Sequence, residues 1–500
     1  MADAAILITL VALPAAGALV LALWPGVTRT AAMWLALGVA LAELGLALAL
    51  AVRYTPGGAV FQFTATQPLA PSIGLVWRSG VDGISMLLVV LAALTVPIAI
   101  VGAPERHRSR AFLGWLLLLE AATVGAFASL DVLLFFIFFE LTLVPAYFLI
   151  AGWGERERGP AAAMKFFVYT LTGSAFLFVG IVYLGYEHRA QSGGPLTFSL
   201  TALSTTHLSG TAGVLLLLGF TAAFVVKAPI FPFHTWSPDA YAEAPVAGSV
   251  VLAALLAKLG TYGILRFDIT LFPHATTTVA PWLLALAVAS ILYGAVAACG
   301  STDLKRLLAY SSLAGMGFIV LGTLSLNRAG ESGAVLQMFN HGIIITALFL
   351  LVGFLTARTG LTRTTALRGV QGPAPVLAAA FTVAMLASIG LPGLNGFVGE
   401  FLVLLGFFQV HGWWGLLPTF GVVVAAIYLL WAYQQVFHGE AEGPTATLRD
   451  LDARERGVLA PLLGLTVLLG VYPKLVLDRI QPSVVHLLAH LHVAVGQVPR

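Results

Sequence analysis

Stretches of about twenty apolar residues recur along this chain from near Ile6 to near Val471, parted by short polar or Gly/Pro breaks. Twenty residues of α-helix span the roughly 30 Å hydrocarbon core of a bilayer. Hydrocarbon offers no partner to backbone N–H and C=O groups, so a spanning segment of this length must be a helix that satisfies them internally. Only 9% of the 500 residues are charged and 59% are hydrophobic, against about 25% charged in an average soluble domain. The expected fold is therefore an all-α polytopic membrane protein with little room for a soluble domain. No Lys or Arg precedes the stretch Ile6–Leu23, so it is expected to be a retained first helix, since a secretory signal would carry a basic start.

The hydropathy pattern places helices at 5–23, 32–52, 82–102, 111–129, 132–152, 163–186, 212–236 (interrupted), 246–267, 280–299, 306–325, 334–357, 374–410 (interrupted), 415–436 and 457–472, about fourteen in all. The distribution of basic residues tests that count, because Lys and Arg favour inner loops. With the N-terminus outside, the inner loops hold fifteen, among them Arg106, Arg108 and Arg110, and Arg358, Arg363 and Arg368. The outer loops hold eight, and Lys227 and Lys258 lie inside helices, which accounts for all 25. The asymmetry favours both termini outside and an even number of helices.

Several functions are excluded at this stage. Cys299 is the single cysteine, so neither a disulfide framework nor a cysteine-held iron–sulfur cluster can form on this chain. No Gly-rich phosphate loop follows a strand pattern, and a net charge of +3 gives no nucleic-acid footprint. No cofactor or metal site is expected on this chain.

Two of the apolar stretches are broken. One contains KAPIFP, within Phe220–Trp236, and the other ASIGLPGLNGFVGEF, within Met385–Phe401. They lie about five helices apart, and an odd spacing gives two copies opposite orientations in the membrane. Paired broken helices in inverted repeats point to an ion site near the midplane.

Charges inside the membrane carry the functional signal, since each costs roughly 2.5–3.5 kcal/mol on insertion scales. Glu140 follows Asp131 by nine residues, about 13 Å along a helix and so near mid-membrane. Lys258 lies about ten residues into its helix, too deep to reach the surface easily. Lys227 stands at the break made by Pro229 and Pro232. Prolines free backbone groups, and freed backbone is tolerated at depth only inside protein or beside a wet cavity. The break is therefore expected to form a polar, hydrated pocket with Lys227 as its titratable group. Glu400 lies in the second broken segment and Glu120 about ten residues into its helix. His234 and His341 are candidate relays, because imidazole exchanges protons near neutral pH. The plainer alternatives are protonated buried carboxyls, a structural ion pair, a lysine extended to the surface, and hydrogen-bonding histidines. Together the seven residues suggest a lateral proton path in which Glu140 modulates the proton affinity of Lys227.

The stretches FFELTLVPAYFLI, VVKAPIFPFHTWSPDAYAEAPVAGSVVLAALLAKLGTYGILRF, DLKRLLAYSS and GLPGLNGFVGEF resemble the antiporter-like membrane subunits of respiratory complex I over roughly residues 110–410, the M type most of all (chain 4 in mitochondria). The resemblance implies fourteen helices in two inverted five-helix repeats, each with one broken helix. The corresponding division is 1–110, a first repeat at 111–267, a second at 280–436, and a C-terminal helix and tail at 457–500. It also implies proton translocation through Glu120, Glu140, Lys227, Lys258 and Glu400, with Lys258 connecting and Glu400 near the outlet. Glutamate at position 400 favours the M type over relatives with lysine there. The chain departs from the family at Gly315 and Tyr241, where histidine is usual, and at Ser237.

The expected function is thus a proton-translocating subunit of an NADH-quinone oxidoreductase. FMN, iron–sulfur clusters and quinone would reside on partner subunits, comprising L-, N-, K-, J-, A- and H-type membrane subunits and a peripheral redox arm. The expected location is a bacterial inner membrane. The alternatives are an Mrp-type Na⁺/H⁺ antiporter subunit, or a membrane subunit of a ferredoxin-linked or hydrogenase-type pump. The tail PSVVHLLAHLHVAVGQVPR, with His486, His490 and His492, is expected to form a short amphipathic surface helix.

Overall fold

The computed structural model describes residues 2–496. Its helices are α1 (Ala2–Leu23), α2 (Arg29–Arg53), α3 (Gly83–Gly102), α4 (Arg110–Ala128), α5 (Val132–Trp153), α6 (Gly159–Ser192), α7 (Gly210–Lys227), α8 (Ser237–Glu243), α9 (Val246–Leu271), α10 (Pro273–Cys299), α11 (Leu304–Thr323), α12 (Arg328–Thr359), α13 (Pro375–Ile389), α14 (Asn395–His411), α15 (Leu416–Phe437), α16 (Ala453–Val471) and α17 (Lys474–Ala494). Short polar side chains start many of them, as an N-cap must supply a partner for free backbone N–H groups. Asp131 accepts from the N–H groups of Leu133 and Leu134, Asp303 from Arg306, Asn327 from Gly330, and Asp452 from Glu455.

Among the described residues, twelve helices are long and apolar enough to cross a membrane, thirteen with the bent pair α16–α17. The run Asn395–Phe437 counts once there, although a tight turn at Gly412–Gly415 divides α14 from α15. Taking those two apart, and joining α13 to α14 across their break, gives about fourteen spans. The fourth span of each five-helix repeat is the broken one: α7–α8 in the first and α13–α14 in the second.

Helices α9 and α12 are enclosed along their whole membrane-length windows. Helices apolar all round belong in the interior, and these two form the axis on which the central polar side chains sit. α9 is wound loosely twice, in π-type turns at Leu252–Leu256 and Ile264–Asp268. Such turns often mark functional positions.

The structure adds a β-hairpin to the helical fold. Strand β1 (Gln62–Ala70) pairs antiparallel with β2 (Leu75–Val81), and Leu130 N–H extends the contact to the Arg78 carbonyl at 2.8 Å. The tail helix is longer than the sequence suggested. α17 starts at Lys474, bends 71° away from α16, and docks by the bond from Gly83 N–H to Ser483 Oγ at 2.9 Å. Residues 497–500, the end of the expected tail, lie outside the described residues.

A candidate proton path

The first break is built around the end of α7. Pro229 and Pro232 prevent the helix from continuing, and the Val226 carbonyl left over accepts from Trp236 Nε1 at 2.9 Å. Phe231 N–H finds Ser290 Oγ at 2.8 Å. Helix α9 presses against this end. A side chain at Gly260 would lie 2.4 Å from the Phe224 carbonyl and 2.6 Å from Ala228 N, so only glycine allows the approach.

Lys227 is the last residue of α7 and is 1% exposed. Its Nζ donates to Thr142 Oγ1 at 2.9 Å and to the Phe139 carbonyl at 3.2 Å, and lies 4.4 Å from the centre of the Phe139 ring. The expected hydrated pocket at the break is therefore a closed, fitted site. Glu140 is the next residue after Phe139. It is half-buried, its Oε1 has no hydrogen-bond partner, and Ser174 of α6 lies against the carboxyl. The pair are neighbours without a direct hydrogen bond, the ammonium being held one residue away from the carboxylate.

Lys258 is fully buried in α9. It follows the first π-type turn, and its Nζ donates to the Ala253 carbonyl at 2.6 Å. The same Nζ meets Nδ1 of His341 in α12 at 2.7 Å. His341 in turn lines a cavity of about 30 Å³ with Ser311, Gly315, Gln337, Tyr428 and Glu400. About 10–15 Å³ of such space admits one water, so the cavity can hold about two.

Glu400 sits beyond the second break. Gly390 ends α13 with φ +81°, a left-handed cap that suits glycine, and its open side receives Glu400 Oε2 2.7 Å from where a Cβ would be. Gln337 Nε2 donates weakly to Glu400 Oε1 at 3.4 Å. Asn340 Nδ2 donates to the Asn395 carbonyl at 2.7 Å and Asn395 Nδ2 to Asn340 Oδ1 at 3.2 Å, which ties the break to α12. Helix α12 thus presents Gln337, Asn340 and His341 to the second break and to Lys258.

The remaining predicted residues stand apart. His234 packs on Phe231 and against the edge of Tyr293, and its buried Nδ1 has no partner. No hydrogen bond joins it to the lysines. Glu120 is fully buried in α4 and faces Glu43 of α2, the two carboxyls meeting at hydrogen-bond distance with no other side chain donating to them.

The chemistry open to the central group is proton exchange. A neutral His341 that accepts at Nδ1 from the Lys258 ammonium carries its own proton on Nε2, the edge turned to the cavity side. A proton passed from Nζ to Nδ1 and another lost from Nε2 toward a carboxylate at Glu400 returns the ring to neutrality.

Residues 129–427 match the family described as NADH:quinone oxidoreductase/Mrp antiporter, transmembrane. NADH-quinone oxidoreductase subunit M of Rhodobacter capsulatus is 40% identical over 97% of this chain and 96% of its own length. The chain belongs to this family, as a member of the subunit M type. Subunit M of Mycobacterium tuberculosis is 37% identical, over 94% of this chain and 92% of its own. A chain of respiratory complex I from Thermus thermophilus superposes with TM-score 0.87 at 33% identity, covering 97% of this chain and 99% of that one. The Mrp complex of Dietzia matches with TM-score 0.79 at 23% identity over 97% of this chain and 52% of that one, a likeness of fold alone.

Glu43, Asp268 and Glu331 are further buried acids within the spanning helices. Glu331 is fully enclosed with both carboxyl oxygens unpartnered, Glu43 shares its contact with the Glu120 carboxyl, and Asp268 accepts from Thr221 Oγ1 at 2.7 Å. A charge inside an apolar stretch was the signal for Glu43, as it was for Glu120. Beyond the end of α7, Asp239 of α8 accepts from Lys165 Nζ at 2.8 Å and Arg306 Nη1 at 3.0 Å. Burial pushes the Asp239 carboxyl up, but the hydrogen bonds and charges of Lys165 and Arg306 outweigh it and hold it below its ordinary value.

Proposed function

We propose that this chain translocates protons as a membrane subunit of an NADH-quinone oxidoreductase, with quinone reduction on partner subunits driving proton transfer along its intramembrane charges. The observation that carries this reading is the contact of Lys258 Nζ with His341 Nδ1 at 2.7 Å, beside a small cavity shared with Glu400. That line crosses from the first repeat, 111–267, into the second, 280–436, between 1–110 and 457–500. Glu140 modulates the proton affinity of Lys227, Lys258 connects the halves, and Glu400 stands near the outlet. Glu120 and His234 flank the path, Glu120 beside Glu43.

The electron carriers, FMN, iron–sulfur clusters and quinone, belong to partner subunits, with L-, N-, K-, J-, A- and H-type chains in the membrane and a redox arm outside it. The location is a bacterial inner membrane with both termini on the outer side. Purification through a tag on this chain tests the assignment. Flavin, iron–sulfur absorbance and NADH:quinone activity in the eluate support it; colourless membrane subunits with cation-dependent proton flux overturn it in favour of an antiporter.

Substitution tests the path. Lys258→Ala and Glu140→Ala are expected to assemble and to lower coupled quinone reductase activity. Parental activity and parental pumping in both would overturn the path.

A further inference from the structure

Helix α2 turns much of its surface outward, with Trp34, Leu41, Leu48 and Val52 exposed. Its inward stripe is Ala32, Ala36, Ala40, Glu43, Ala47 and Leu50, at the three- and four-residue spacing of one helix face. Glu43 is the one polar member. It lies about 15 Å from the end of α2, and Glu120 about 15 Å from the start of α4, so both stand near mid-membrane. Both are fully buried, and apart from each other their four oxygens have no hydrogen-bond partner. Helix α3 packs against both helices and carries no charged residue from Gly83 to Gly102. Among the described residues, no cation pairs with either carboxyl.

The positive charge open to this pair is a proton. A lone carboxyl so placed keeps its proton, because the bare anion would be buried without compensation. A second carboxyl at hydrogen-bond distance changes that. Once one group ionises, its neutral partner donates O–H to the anion, and such charge-assisted bonds are the strong ones. Ionising both would leave two carboxylates in contact, which like charges oppose. The pair can therefore hold two protons or one, and it exchanges a single proton between those states.

We propose that Glu43 and Glu120 form a one-proton store for the translocation path, in which Glu43 is the group that lets Glu120 ionise. The inference rests on the proposed path. Gly125 of α4 packs on the Phe138 ring of α5, and the two helices run antiparallel. Glu120 therefore falls at the depth of Leu143, the residue after the Thr142 to which Lys227 donates. The proton that leaves the pair goes to Lys227 when that group is a free amine. Return of a proton to the anion restores the pair.

The test compares leucine and glutamine at each position in the assembled complex, reconstituted in vesicles, with protons translocated per electron as the readout. Lys258→Ala serves as the reference for the path. Leucine removes the donor and suits the apolar surroundings, whereas glutamine keeps an amide donor for the carboxylate that remains. Glu43→Leu and Glu120→Leu are each expected to lower the ratio as far as Lys258→Ala does, and the double leucine variant no further. Glu43→Gln and Glu120→Gln are each expected to give an intermediate ratio. Infrared difference spectra between the resting and the turning-over complex are expected to contain a carboxylic-acid C=O change that both leucine variants lose and both glutamine variants keep. Parental ratios in both leucine variants, beside a lowered one in Lys258→Ala, make the pair a fastening between helices; they overturn this inference and leave the path standing. A lowered ratio in only one leucine variant overturns the pairing. A parental ratio in Lys258→Ala overturns the path itself. If the leucine variants fail to assemble, intermediate ratios in the glutamine variants support the store, and parental ratios in both overturn it.

Discussion

The two helix breaks hold opposite charges in different surroundings. Lys227 ends α7, where unsatisfied carbonyls make the negative end of the helix dipole, and it is fixed by a carbonyl, a hydroxyl and an aromatic face. Glu400 lies in the second turn of α14, nearer the positive end but beyond its strongest reach. It has one weak amide contact, a glycine against one oxygen, and a small cavity. The first break grips its charge; the second leaves its charge room. A held cation suits a group whose proton affinity is set by its neighbours, and a loosely held carboxyl suits a group that must receive and release.

That contrast can be broken at the residues that make it. Thr142→Val removes the hydroxyl from Lys227 and should have the largest effect, since hydrogen bonds to charged groups contribute about 1.5–3 kcal/mol. It should lower proton translocation with normal complex assembly, measured in vesicles. Gly390→Ala places a Cβ at φ +81° against Glu400. A left-handed non-glycine residue costs about 1–2 kcal/mol, so the midpoint of thermal inactivation should fall along with translocation. Gln337→Leu removes only a 3.4 Å contact. Its effect should stay under about 1 kcal/mol, smaller than that of Thr142→Val in the same vesicle assay. An effect of Gln337→Leu larger than that of Thr142→Val would reverse the comparison.

The smallest effect belongs to the ion cluster around Asp239. Partly exposed pairs such as Lys165–Asp239 and Arg306–Asp239 contribute about 0–1 kcal/mol. The Asp239 carboxyl lies below its ordinary 3.8, so its contribution is full above that pH and is lost as the pH falls through the lower folded value. Asp239→Asn should therefore lower the inactivation midpoint slightly at pH 7, and the gap from the parent should close only in strong acid. A gap that closes between pH 5 and 6 would show that another group governs the cluster.

The sequence showed the helices because hydrocarbon enforces their length and polarity, and it showed the breaks because Pro229, Pro232, Pro392 and Gly393 interrupt apolar runs. The charges of the path were legible for the same reason. The Lys258–His341 contact was not, because it joins residues 83 apart in the chain, and no local pattern encodes a crossing of two helices. The π-type turns of α9 were hidden as well, since LAALLAKLGTYG reads as ordinary helix. The hairpin escaped notice because Pro68 and Pro71 interrupt any strand-like alternation and its register is irregular between Gln62 and Ala65 and between Pro68 and Ala70. Thr142 gained meaning only from the bond that Lys227 donates to it.

The central claim is that protons cross from Lys258 through His341 to Glu400. The most direct measurement is the number of protons translocated per electron by the reconstituted complex carrying Glu400→Gln, which keeps the shape of the side chain and removes its charge. The account predicts a clear fall in that ratio with the complex fully assembled. A parental ratio would contradict it, because the cavity beside His341 would then lead nowhere that the proton needs to go.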